Sequence, residues 1–284
     1  NRLIIKNKIM KTSIISMLAM SAVLTSCVYV SPGKNGENGS DGWSGFSNNE
    51  GTGPITDKTY SGNIDQIQVS TSINAEVVKS DTEKVVISAP SDIMEYIKVD
   101  NNGGKVRVYV NSGFGKSIST KNVKAKIYVK DFTQLSANSS ADIKVNDTFT
   151  QDRIEVYASS SGSIDVSNLE ANDFKIDVSS SGDFSGKIWA VNLNAYASSS
   201  GDVNIYGKAK NATLDANSSG DIKATDLMIE NANLSASSSG NVTTSVSRNL
   251  IANANSSGDV TVYKKGNLEQ SKIQKSSGGD VYIK

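Results

Sequence analysis

Side chains able to do chemistry are unevenly supplied along this chain. None of its 284 residues is histidine, and Cys27 is the only cysteine. Ser-His-Asp triads, Cys-His dyads and His-based zinc sites are therefore excluded, and no intramolecular disulfide can form. Carboxylates and hydroxyls are abundant, and they recur with a period. A phrase close to Ser-Ser-Gly-Asp returns with its Gly position at Ala141, Gly162, Gly182, Gly201, Gly220, Gly240, Gly258 and Gly279, at spacings of 21, 20, 19, 19, 20, 18 and 21 residues. One residue later stand Asp142, Ser163, Asp183, Asp202, Asp221, Asn241, Asp259 and Asp280. Copies stacked in register would bring these carboxylates about 5 Å apart, where like charges repel by about 1 kcal/mol per pair in water. Solvent, the interruptions at Ser163 and Asn241, nearby lysines or bound calcium would relieve that repulsion. Calcium wants about six to eight oxygens, and one carboxylate per copy is a sparse supply. Asp183, Asp202, Asp221 and Asp259 are the candidate calcium residues, weighed against a solvated turn ladder, which the sparse supply favours. No cofactor is otherwise expected.

Catalysis on polysaccharide would need acids clustered in a groove, with Arg or Lys beside them. Here the acids follow the period of the repeat, and the arginines are Arg2, Arg107, Arg153 and Arg248 alone. The serines have no general base in their phrase and read as turn formers. The chain is therefore expected not to be an enzyme. Its 29 basic and 29 acidic residues form no basic stripe, so no nucleic-acid partner is expected. Exposed aromatics are the remaining platform for recognition. Tyr157, Tyr196, Tyr206 and Tyr263 fall at polar-phase or strand-end positions and are the candidate binding residues; the bland alternative is that they cover coil ends and loops. Trp189 could face either way.

The elements that must position these residues follow from the flanking pattern. Two residues after the Gly position stand Ile143, Ile164, Phe184, Val203, Ile222, Val242, Val260 and Val281, and six before it Leu135, Val156, Ile176, Ala195, Leu214, Leu234, Ala252 and Ile273. Apolar columns with period two mean half-buried strands. Each repeat reads as strand, Ser-Ser-Gly-Asp corner, strand and a variable connection. A unit of this length buries its apolar stripe only by stacking on its neighbours. The expected fold is all-β: a single-stranded parallel β-helix, or β-solenoid, with about 20 residues per coil. A propeller blade needs roughly twice that length. Ala dominates the column four before the Gly and predicts a tight inner corner. Gly is expected to supply the positive φ there, with Ser, Asn and Asp side chains bonding nearby backbone.

Residues 1–27 read as a lipoprotein signal peptide. Arg2, Lys6, Lys8 and Lys11 precede an apolar core at 14–24, too short to span a bilayer comfortably. Leu24-Thr-Ser-Cys27 resembles a lipobox and marks Cys27 for lipidation, an anchor to the membrane rather than a span. Residues 28–57 carry Gly at every third position from Gly33 to Gly45 and read as a flexible tether. Residues 58–135 are expected to form elaborated first coils acting as an N-terminal cap, and 136–284 the regular repeats of one continuous domain, 58–284. Strands are expected at 64–69, 76–78, 84–88, 96–99, 105–110 and 125–129. The last coil has no obvious cap, which makes self-association through it a candidate contact.

A lipobox-like Cys27, a tether, an opening with Ile64-Asp-Gln-Ile-Gln-Val-Ser70, Val85-Val-Ile-Ser-Ala-Pro90 and Tyr96-Ile-Lys-Val99, and then serial Ser-Ser-Ser-Gly-Asp coils: together these resemble the putative auto-transporter adhesin, head GIN domain family of Bacteroidetes-type bacteria. The resemblance covers roughly 58–284. It implies a right-handed β-helix on a cell-envelope lipoprotein with an adhesive role, and it brings no catalytic motif. The expected function is a non-enzymatic adhesin for glycan or protein, lipid-anchored at the bacterial outer membrane on its cell-surface or periplasmic face. The alternative is a periplasm-facing or self-associating structural envelope protein, with a polysaccharide-acting enzyme last. Acidic residues just after the lipidated Cys would resemble a surface-export signal, and Val28-Tyr-Val-Ser-Pro32 has none.

Overall fold

The computed structural model of the chain describes residues 47–113 and 116–284. Cys27, the expected signal segment and most of the Gly-rich stretch lie outside them. Among the described residues there is no α-helix, only a 3-10 turn at Met94–Tyr96. The fold is a β-solenoid. Successive coils are single bent strands, Asp183–Ala197, Asp202–Ala216 and Asp221–Ala236, that pair in parallel with Phe184 beside Val203 and Val203 beside Ile222. One coil takes roughly 20 residues.

Each coil has three straight segments. In the coil Ser163–Val178 the inward residues Ile164, Val166, Leu169, Ala171, Phe174, Ile176 and Val178 are all buried. A register shift between Val166 and Leu169 marks the first bend. Two successive outward residues, Asn172 and Asp173, mark the second. The stretch expected to be a variable connection is thus itself strand, and differences in repeat length are absorbed by such shifts. A buried Leu, Ile, Val or Phe contributes about 1.5–3 kcal/mol over an exposed one. Stacking supplies that burial, because a lone coil would leave its inner face open. Phe132 and Phe149 meet at 4.7 Å near the start of the stack, and Ala and Leu fill its later turns. In the coil 270–283 Val281 stays buried, but Ile273 and Ile283 of the inward columns are each 41% exposed.

The third bend is the Ser-Ser-Gly corner, and its mechanism differs from the expectation. Positive φ belongs to the serines, Ser160 at 51° and Ser161 at 62°, Ser218 at 48° and Ser219 at 63°. Gly162 and Gly220 are not in that region. They close the turn, donating from N–H to the carbonyls of Ser159 and Asn217 at 2.9 Å. Two central residues at positive φ make a type I′ turn. Gly is needed for close approach instead: a Cβ on Gly220 would stand 2.5 Å from the backbone of Ala197, and one on Gly162 2.4 Å from the carbonyl oxygen of Ala137. The Ala column is the surface on which Gly rests, which makes the inner corner as tight as expected. The corner is held mainly by backbone bonds, such as Ser219 N–H to Ser238 O at 3.1 Å, rather than by side-chain hydroxyls.

The first third of the chain is not threaded in order. Gln66–Val69 and Asn74–Lys79 stack directly on the coil beginning at Gln134. The chain then leaves and returns, placing Lys105–Val110 and Lys124–Val129 on their other side. Antiparallel strands follow outward: Lys84–Pro90 on Lys124–Val129, Ile55–Ser61 on Lys84–Pro90, and Ile97–Asn102 on Lys105–Val110. These pairings satisfy the backbone groups that a bare first coil would present. Ser47–Asn49 pairs with Lys116–Ile118. Strand structure therefore reaches into the stretch expected to be tether up to residue 57, because Ile55–Ser61 finds a full backbone partner.

Candidate binding surface

The Asp ladder exists as a register. Asp142 lies beside Ser163, Ser163 beside Asp183, and Asp183, Asp202 and Asp221 follow one another before Asn241 interrupts. The Asn241 amide donates to Asp221 Oδ1 at 2.8 Å, and the Asp280 N–H donates to Asp259 Oδ1 at 3.2 Å. Burial first, and the Asp202 carboxylate second, hold the Asp183 carboxyl above the usual carboxylate range. These side chains form a line. Among the described residues no three carboxylates converge as metal ligands would.

The four tyrosines do not share one patch. Tyr157 and Tyr196 stand in one outward column, with Asp177 between them. The Tyr157 hydroxyl donates to Glu155 at 2.5 Å, and Lys175 sits over its ring. Burial, then the Glu155 bond, pushes the Tyr157 hydroxyl upward in pKa; that same bond first, then Arg153, pulls Glu155 down. Tyr196 accepts from the Asn217 amide at 2.7 Å. Tyr206 and Tyr263 lie beyond the corner, and of the four only Tyr206, at 45%, is widely exposed. Trp189 faces outward, also 45% exposed, between Glu170 and Lys208 in adjacent coils.

A second ladder went unread in the sequence. At the bend after the middle segment, Asn192 donates to Asp173 at 2.9 Å, Asn211 to Asn192 at 3.0 Å, Asn231 to Asn211 at 3.0 Å and Asn249 to Asn231 at 2.7 Å. The signal was present: these residues stand at one fixed offset before the next Gly, although their distance from the preceding Gly varies. The ladder borders a groove of about 690 Å³ that crosses coils at 192–194, 211–213, 231–233, 249–251 and 271–272. Its lining is Asn, Thr, Ser, Ala, Leu and Ile, with Lys272 the one charged residue. A smaller groove of about 510 Å³ near the N-terminal strands is lined with charge, Lys124, Lys126, Lys144, Glu76 and Asp142 among others. Lys126 there pairs with Glu76 at 3.4 Å.

The regular coils stack in parallel with outward polar ladders, and among the described residues no acids gather as metal ligands would. The family model described as putative auto-transporter adhesin, head GIN domain, matches residues 63–187 and 158–266. The chain belongs to this family. Its fold recurs in solved structures. A protein of Parabacteroides distasonis described as a putative lipid binding protein is 21% identical, with a TM-score of 0.70 over 84% of this chain and 100% of its own. A putative adhesin of Parabacteroides merdae is 17% identical at 0.67, over 84% and 99%. One of Bacteroides fragilis is 17% identical at 0.61, over 83% and 99%. No curated protein matches the chain. The family gives an adhesin-like role at the cell envelope.

Proposed function

We propose that this chain is a non-enzymatic lipoprotein, anchored through Cys27 in a bacterial outer membrane, whose solenoid presents a binding surface for glycan or protein. The family match across 63–266 carries the reading. The acids support it, because they are spaced by the coil rather than gathered in a groove. The test expresses the full chain and its Cys27→Ala variant in an outer-membrane-bearing host, labels lipid metabolically, and treats intact cells with protease. Lipid label on the wild type alone, with release of the solenoid from intact cells, is the expected result. Protection until the outer membrane is opened overturns the adhesin.

A self-associating structural role is the second reading. It draws on Ile273, Tyr282 and Ile283, all more than 40% exposed in one coil. Sedimentation showing dimers that Ile273→Lys abolishes would favour it.

A further inference from the structure

Resting on that reading, we propose that the groove beside the Asn ladder binds a neutral polysaccharide chain lying along the stack of coils. The ladder fixes the chemistry. Asn192 donates one amide hydrogen to Asp173 and accepts one from Asn211; Asn211 donates to Asn192 and accepts from Asn231. A side-chain amide has two hydrogens and two acceptor sites. Both rungs therefore keep one donor and one acceptor free, the complement of a hydroxyl group. The next outward column, Asn194, Thr213 and Asn233, adds further neutral polar groups on the same wall and is exposed.

Three observations choose a glycan over other occupants. First, the backbone along this wall is already consumed by coil-to-coil pairing, Asn192 with Asn211 and Asn211 with Asn231. An extended peptide would find no strand edge to extend, which removes the usual source of its affinity. Second, Lys272 is the only charge in the lining and sits at one end, so an acidic chain gains little. Third, Ile251 is 45% exposed in the column that continues Asn233. An aliphatic platform among hydroxyl-matching groups suits a sugar ring, which has an apolar face and a polar rim. The groove crosses five coils, roughly 19 Å at the interstrand spacing, and three successive coils bring a similar pair of neutral polar groups to it, Asn192 with Asn194, Asn211 with Thr213 and Asn231 with Asn233. A ligand that repeats along its length is what such a wall matches.

The test uses the full chain, titrated with amylose, dextran, galactomannan and mixed-linkage β-glucan, with polygalacturonate and a panel of extracellular proteins alongside. The variant carries Thr213→Lys and Asn233→Lys, both outward and outside the core. A Lys223→Ala variant, at an exposed position outside the groove lining, serves as a control, and thermal melts check that each variant folds. The expected result is binding of at least one neutral polysaccharide, weakened about tenfold or more by the double variant, the equivalent of one or two net hydrogen bonds. Lys223→Ala leaves that binding unchanged. Neutral polysaccharide bound equally by wild type and double variant overturns the groove and leaves the adhesin standing. Binding only of proteins or polygalacturonate does the same. No binding to any probe, with the solenoid protected inside intact cells, overturns both.

Discussion

Each coil turns at the Ser-Ser-Gly corner, where Gly220 leaves no space for a side chain against Ala197, and turns again at Asn211, where side chains bond across coils. The first bend is fixed by backbone contact. Its tolerance is close to nil, and the same two serines recur at positive φ from coil to coil. The second bend is fixed by side-chain hydrogen bonds and tolerates substitution: Arg153 and Asp173 occupy the same column as the asparagines. Chain length varies only between them, in the middle segment, where register shifts occur such as that between Ala224 and Met228. A solenoid can thus vary its repeat length if one bend is held sterically and the next is held by groups able to find one another. The N-terminal region sharpens the contrast. There Ala141 occupies the Gly position, fully buried, because the coil against it is 66–79 rather than a regular repeat.

The largest break should come at the steric bend. Gly220→Val forces a side chain into the Ala197 backbone and is expected to cost about 3 kcal/mol or somewhat more, near the upper end for overpacking. Urea unfolding followed by circular dichroism measures it, and a cost under about 1 kcal/mol would mean the corner relaxes freely. The hydrogen-bonded bend should yield less. Asn231→Ala removes the bonds it donates to Asn211 and, at 3.5 Å, to the Lys210 carbonyl and the one it accepts from Asn249, at a half-buried position, for an expected loss of about 1 kcal/mol in the same assay. Equal costs at both sites would erase the distinction.

The smallest effect concerns the Asp ladder. Burial and Asp202 raise the folded-state pKa of Asp183 above its ordinary 3.8, so the folded protein binds a proton more readily than the unfolded chain. Its charge therefore opposes folding at neutral pH, and that opposition fades as pH falls into the ordinary carboxylate range. Asp183→Asn is expected to raise the melting temperature slightly at pH 7, with the gain vanishing near pH 3.8 and below. A loss of stability at pH 7 reversed by added calcium would instead make the ladder a metal site.

The period, the inward columns and the tight inner corner at the Ala column were legible in the residues, because stacking forces equivalent positions into one environment and repeats their chemistry. Strand positions in 58–135 were legible for the same alternating reason. The roles within the corner were not: positive φ sits on Ser218 and Ser219, and the cause of Gly220 lies in Ala197, a residue of the preceding coil. The Asn ladder escaped because its spacing is constant only toward the following corner. The order of the first coils was beyond local pattern altogether, since strands 105–110 and 124–129 read alike whichever side of 66–79 they take. Sequence by itself determined that this chain must stack, because no single coil can bury its own apolar face. Tertiary structure alone decided which residues meet across coils, and so which of its many polar side chains share a groove.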